Sequence, residues 1–201
     1  MNTLRIVRGV PTGQRTRAAE LYWEAFAGKL RPALGDAVRG VPLLADQLMA
    51  DHFLCAVIGD QVVGVLGFHS GGASGFEITH RVLAARYSPW SAWLRLLLLA
   101  PLDRSPRAGE LLLDGVCVDA AARGRGVGTL LLEEAAILAR ETGARAVRLS
   151  VVDTNPRARA LYERLGYRAA RTEHLGALGR LYGIAAATAM VRPLAAEEGV
   201  V

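Results

Sequence analysis

Lysine is almost missing from this sequence: of 24 basic residues only Lys29 is a lysine, and the rest are arginine. With so much alanine alongside, that bias points to GC-rich coding rather than to selection for a polyanionic partner. The charges are also evenly spread, 12 basic against 9 acidic through Glu110 and 12 against 10 beyond it. A net charge of +5 without a basic tail or stripe leaves no nucleic-acid footprint. Cysteine is scarce as well. Cys55 and Cys117 both fall in apolar strand-like runs, with no disulfide framework and no CxxC metal pair, so both read as core residues. His52, His69, His80 and His174 are scattered, without HxxxH or HExxH spacing, which argues against a metal. Long apolar runs are absent too. The longest candidate, Trp93 to Leu102, falls well short of the roughly 20 residues of a membrane span and carries Arg95. Met1 to Arg5 lacks the apolar segment of a signal peptide. The expectation is a soluble, cytoplasmic protein with neither membrane nor nucleic acid as partner.

What is present is a core. At 201 residues, 52% hydrophobic and 21% charged, the chain suits a single domain over residues 1–201. Leu4 to Arg8 alternates as a short strand. Pro11-Thr12 opens a helix with Ala18, Leu21, Tyr22, Ala25 and Phe26 at helical spacing, and a weaker helix runs near Leu43 to Ala50. Phe53 to Ile58 and Val62 to Phe68 flank Gly59-Asp60, a hairpin signal. Leu111 to Val118 is another strand, followed by a glycine-rich turn and a helix over Val127 to Glu141. Arg145 to Val152 reads as a strand, and Pro156 sits at the first position of a helix ending near Gly166. Tyr167 to Glu173 and Ile184 to Arg192 are the last strands. This order gives an α/β protein with a mixed sheet.

Residues 69 to 110 interrupt the regular spacing as a helical insertion. Ser70 to Gly75 is a glycine loop. Ser88-Pro89 forms a helix start leading into Trp90, Trp93, Leu94, Leu97 and Leu98. That helix packs on the core, walls a substrate pocket or lies on a membrane surface, the last disfavoured by the single cation on its polar face; in the second case Trp90 or Trp93 lines the acceptor side.

The chemistry concentrates further on. The strand ending at Val118 runs into Asp119 to Thr129, where Gly124, Gly126 and Gly128 permit a tight turn whose N–H groups converge at a helix start. Arg123 and Arg125 add positive charge, so the natural ligand is a phosphate or pyrophosphate. A Walker loop is excluded because the segment has no lysine. A dinucleotide fingerprint fails because Thr129 stands where the third glycine belongs. Asp114 lies inside an otherwise apolar strand, where a carboxylate is costly without a role or a partner. Simple alternation puts Asp114, Val116 and Val118 on one face and Leu113, Gly115 and Cys117 on the other.

Two motifs then combine. Arg123-x-x-Gly126-x-Gly128 between strand and helix, and Asn155-x-x-Ala158-x-x-Leu161-Tyr162-x-x-x-Gly166-Tyr167 after the next strand, together resemble the GNAT superfamily of N-acetyltransferases. The resemblance covers nearly the whole chain except residues 69 to 110. It implies a GNAT-like fold: a mixed, mostly antiparallel central sheet splayed between two parallel strands, with helices on both faces. It implies acetyl-CoA as cosubstrate, no metal, and a small-molecule or peptide amine as acceptor, attacked directly in a ternary complex. The coenzyme's pyrophosphate would sit on Arg123, Gly124, Arg125, Gly126, Val127, Gly128 and Thr129. Its pantetheine arm would pair with the backbone at Val116, Cys117 and Val118 and meet Asn155. Tyr162 would protonate the leaving thiolate. Asp114 stands open between general base, substrate anchor and structural group, with Glu110 and Glu77 as weaker substitutes. Arg157 and Arg159 are candidates for the coenzyme's 3′-phosphate. A non-catalytic acyl-CoA-binding module of the same fold is the alternative, and a homodimer is left open.

Overall fold

A computed structural model describes residues 3–100, 105–176, 179 and 182–194. The order is β1 (Leu4–Arg8), α1 (Arg15–Leu34), α2 (Ala37–Gln47), β2 (Phe53–Ile58), β3 (Gln61–Phe68), α3 (His80–Arg86) and α4 (Pro89–Leu99). There follow β4 (Glu110–Val118), α5 (Val127–Glu141), β5 (Ala146–Val152), α6 (Pro156–Arg164), β6 (Arg168–His174) and β7 (Ala186–Pro193). The strands form a seven-stranded sheet in the order β1-β2-β3-β4-β5-β7-β6. Every neighbouring pair is antiparallel except β4 and β5, which run parallel.

Helices cover both faces. α5 lays the stripe Val127, Leu131, Leu132, Ala135, Ala136 and Ala139 on one face, against Leu54, Leu66, Leu111, Leu113, Val147 and Leu149. Each large side chain so buried is worth about 1.5–3 kcal/mol. Tyr162 of α6 joins that core. On the opposite face α1 packs Ala18 and Leu21 on Phe53, Cys55, Val65 and Cys117, while Trp23, Leu30 and Leu34 meet Leu43 and Leu44 of α2, Leu83 of α3 and Ala92 of α4. The insertion is therefore folded onto α1.

Local chemistry sets the boundaries. α1 starts at Arg15 rather than Pro11, because the Gln14 amide first closes a turn on the Pro11 carbonyl at 3.0 Å. α2 starts earlier than its apolar spacing predicts: Asp36 caps it by accepting from the Arg39 amide at 3.1 Å. Ser88 caps α4 with Pro89 in its first turn, as the sequence predicts, whereas α3, capped by Thr79, was not expected.

Alternation along β4 breaks. Gly67 of β3 pairs with Gly115, but Phe68 pairs with Leu113, so Asp114 is an extra, unpaired residue in the ladder. Such a bulge shifts every residue beyond it to the other face. Leu111, Leu113, Val116 and Val118 all pack in or against the core under α5, while a Cβ on Gly115 would fall 2.3 Å from the Phe26 ring of α1. Asp114 lines the α1 side with Tyr22 and Phe26. The expected sharing of a face by Asp114, Val116 and Val118 is thus corrected.

Candidate active site

The parallel ladder between β4 and β5 is short. It holds over Glu110↔Ala146, Leu111↔Val147 and Leu112↔Arg148, and from Leu113 onward β5 pairs only with β7. The closed end is held by a largely buried ion pair: Arg148 Nε donates to Glu110 at 2.6 Å, and its Nη2 donates to the Ser105 carbonyl at 2.7 Å. Glu110 is thereby committed to structure. Beyond Leu112 the strands part around a cleft lined by Asp114, Gly115 and Val116 on one side and Ser150, Val151 and Val152 on the other. Tyr22, Phe26 and Lys29 of α1 border it from one face of the sheet, Asn155 and Tyr162 from the other.

At the open end β4 meets the glycine loop. Gly124 and Gly126 have φ of +76° and +80°, the left-handed region where a side chain is strained, and a Cβ on either would meet nothing within 4 Å. Gly126 caps α5, and Leu130 is the first amide to close on it, at 3.0 Å. The N–H groups of Val127, Gly128 and Thr129 therefore have no acceptor in the helix and crown its positive end. Gly128 does something else. Its φ is not positive, and a Cβ there would press on Leu161 at 3.3 Å, so its smallness serves the approach of α5 to α6. Arg123 and Arg125 are exposed, and Arg123 Nε donates to the Val118 carbonyl at 3.1 Å. An open loop, orphan amides and two arginines suit a pyrophosphate. Arg17 of α1 ties down the same turn through Asp119, whose carboxylate also accepts from the Ala121 amide two residues on, at 2.8 Å.

Asn155 ends the β5–α6 turn as the cap of α6, its side-chain oxygen accepting from the Ala158 amide at 3.1 Å. One turn on, Tyr162 is buried in the cleft wall, and loss of water raises its pKa to about 12. It is a phenol, and so a proton donor, throughout the physiological range. Cys117 is buried, and desolvation pushes its thiol far above the range where a thiolate forms; Cys55 is pushed up to about 12 for the same reason. Neither serves as a nucleophile. Arg159 is engaged by Glu163 at 2.9 Å, and Arg157 is exposed.

Asp114 has two partners from the insertion. The His69 imidazole is hydrogen-bonded to Oδ1 through Nε2, and the Gly75 amide donates to Oδ2 at 3.3 Å. His69 is itself buried. No local pattern signals this pairing, because His69 and Asp114 are neighbours only once β3 lies beside β4 across the whole insertion. Next to the cleft, and sharing Tyr22, Leu30 and Asp114 with it, is a chamber of about 580 Å³ walled by Phe76, Ile78, Leu96 and Leu99. Here α4 does form a wall, but through Leu96 and Leu99. Trp90 and Trp93 stand out in solvent, 89% and 64% exposed, which corrects their expected place in the pocket. On the β5 side the cleft shares Lys29, Ser150 and Val152 with a second chamber of about 400 Å³, lined also by Arg148, Arg171, Glu173 and Tyr182. Among the described residues no cluster of histidine, cysteine and carboxylate has metal-binding geometry, and no helix is long and apolar enough to cross a membrane.

Comparison with known proteins agrees with this geometry. Residues 16–167 match the family model described as the acetyltransferase (GNAT) family. An N-acetyltransferase from Staphylococcus aureus superposes with a TM-score of 0.65 at 19% identity, over 93% of this chain and 99% of its own. A GCN5-related N-acetyltransferase from Kribbella flavida gives 0.62 at 20% identity, over 95% and 98%. An acetyltransferase of the GNAT family from Streptococcus pneumoniae gives 0.58 at 18%, over 96% and 100%. At these identities the likeness is one of fold. No curated protein sequence matches the chain.

Proposed function

The chain belongs to the acetyltransferase (GNAT) family, and from that premise we propose that it moves the acetyl group of acetyl-CoA to a primary amine by direct attack in a ternary complex. The observation that carries the reading is the parted β4–β5 ladder, with an anion-binding loop at its open end and a buried phenol in its wall. In this reading the pyrophosphate takes the amides and arginines of Arg123 to Thr129. The pantetheine arm fills the space β5 vacates beside Val116, Cys117 and Val118 and passes Asn155.

The chemistry then needs three groups. An alkylammonium with a pKa near about 10.4 must lose a proton before it attacks, and Asp114 accepts it, held in orientation by His69 and the Gly75 amide. The amine lone pair forms the C–N bond at the thioester carbonyl, whose oxygen becomes an oxyanion facing backbone donors of β4 beyond the bulge. As the C–S bond breaks, Tyr162 gives its proton to the thiolate; the nitrogen's second proton then restores the phenol, and Asp114 releases the first proton to solvent. The balance is one ammonium and one thioester giving an amide, a thiol and one proton. In a non-catalytic module Tyr162 would serve only the core it packs in, and Asp114 only its bonds to His69 and Gly75.

The direct test is thiol release from acetyl-CoA by the purified chain with a panel of amines, beside calorimetry of acetyl-CoA alone. Binding without thiol release for any amine would leave the non-catalytic reading standing. Absence of binding would remove both.

A further inference from the structure

The larger chamber is well suited to say which amine, given the acetyl-transfer reading on which this step rests. It opens onto the cleft at Asp114, the point where an amine must arrive to be deprotonated and to attack. Its walls away from that point are mostly apolar, with Leu30 and Tyr22 from α1, Phe76 and Ile78 from the loop before α3, and Leu96 and Leu99 from α4, beside Ser74, Glu77 and Thr79. Tyr22 and Phe76 lie edge to face with ring centroids 4.5 Å apart, and Phe26 adds a third ring 4.6 Å from Tyr22. Aromatic faces beside one carboxylate suit a single ammonium on an apolar stem. Among the described residues the lining offers one further carboxylate, Glu77, and it is exposed, so a second positive charge there gains only the weak attraction of a solvated ion pair. Among the described residues no arginine or lysine lines the chamber, so an anionic substituent finds no cationic partner among them.

We propose that this chamber is the acceptor site and that it selects a primary amine on an apolar body, an arylalkyl- or alkylamine with one positive charge. The volume of about 580 Å³ accommodates a body of that kind. The insertion, which supplies His69's loop, Phe76, Ile78 and both α4 leucines, is then the specificity element. The second chamber, with Lys29, Arg148 and Arg171 in its lining, marks the alternative of an acceptor bearing a carboxylate.

The experiment compares kcat/KM for phenylethylamine, hexylamine, spermidine, an aminoglycoside and phenylalanine, with acetyl-CoA affinity measured separately. Phenylethylamine and hexylamine are expected to exceed spermidine and the aminoglycoside by at least about tenfold, the scale on which a hydrophobic pocket discriminates. Phenylalanine is expected to be worse than phenylethylamine by a similar factor. A preference for the polycations, or for phenylalanine, overturns the proposal. Acetyl-CoA binding with no apolar amine turned over overturns it while leaving the donor site intact; loss of acetyl-CoA binding takes the acetyl-transfer reading down with it. Leu96→Gln should raise KM for phenylethylamine about tenfold at unchanged acetyl-CoA affinity, and Leu97→Gln, on the solvent face of the same helix, should not. Ile78→Thr gives an independent reading of the wall should Leu96→Gln fail to fold. Unchanged KM in both wall variants overturns the proposal.

Discussion

The stretch from β4 to α6 and the insertion that precedes it meet at Asp114, yet they are built differently. The first is made of short connections between regular elements, and its candidate functional groups are largely backbone: the amides of the glycine loop and the parted edge of β4. The insertion works through side chains. Its helices bury only Leu83 and Ala92, and it offers His69, Phe76, Ile78, Leu96 and Leu99 to a cavity. A donor site made of backbone tolerates sequence change as long as the turns survive, whereas an acceptor site made of side chains can be rewritten residue by residue. A shared donor with varied acceptors follows from that division.

The sharpest way to break the comparison is Gly126→Val. A β-branched residue at φ +80° is strained and fills the loop, so acetyl-CoA affinity should fall more than about 100-fold in calorimetry while the circular dichroism spectrum stays native. An unchanged affinity would place the coenzyme elsewhere. Next in size, Tyr162→Phe should lower kcat by about 10²–10⁴ at unaltered acetyl-CoA affinity, the usual contribution of a general acid. Full turnover would return Tyr162 to the core it also packs in.

Where the two regions touch, effects should be smaller and depend on pH. Asp114→Asn should slow turnover most at low pH and recover partly as pH rises, because the free amine then needs no base. A loss confined to KM would make Asp114 an anchor instead. On the proposed reading His69 acts through Asp114, to which its Nε2 is hydrogen-bonded, so His69→Ala should lower kcat and His69→Gln, whose amide nitrogen can occupy the Nε2 position, should restore most of the loss. Equal losses in both variants would deny His69 its positioning role.

Stability should follow the buried phenols and thiols. Tyr162 and Cys55 titrate near about 12 in the fold but near 10.0 and 9.0 when unfolded, and Cys117 and Tyr167 are raised as well. Between those values the folded chain holds more protons than the unfolded one, so stability must fall as pH rises from about 9 towards 12. Urea midpoints across that interval measure it, and a flat profile would mean that these groups are hydrated. The smallest effect belongs to the outer face of α4: Trp90→Ser should change stability by less than about 0.5 kcal/mol and leave kinetics untouched.

The two regions also differed in how far the sequence disclosed them. Val127 to Glu141 was legible to the residue because a glycine turn, an apolar stripe and Gly143 all act locally. The Tyr162 helix was legible from Asn155 and Pro156, which cap and start it. The bulge at Asp114 was not, since it exists only in the register between β3 and β4, and the faces assigned beyond Leu113 were wrong for that reason. The tryptophans of α4 misled differently. Large apolar residues were expected to be inside, but the helix has more apolar residues than its contact with α1 can cover; Leu96, Leu98 and Leu99 took the inner face, and Leu94 and Leu97 stayed outside with the tryptophans.

The Glu110–Arg148 pair at the closed end of the β4–β5 ladder has a mechanical reading. Two arms joined at one end and apart at the other form a fork, and what a fork can grip depends on how firmly its joint resists slip. Here the joint is a largely buried ion pair, braced by the Ser105 carbonyl beside the three ladder pairs, and each arm is held along its length by its other neighbour, β3 or β7, so the two strands keep one register. Any guest entering the gap therefore does so at a fixed height along both strands. The residues that face it, Asp114 to Val116 on one arm and Ser150 to Val152 on the other, are set by counting from the pivot.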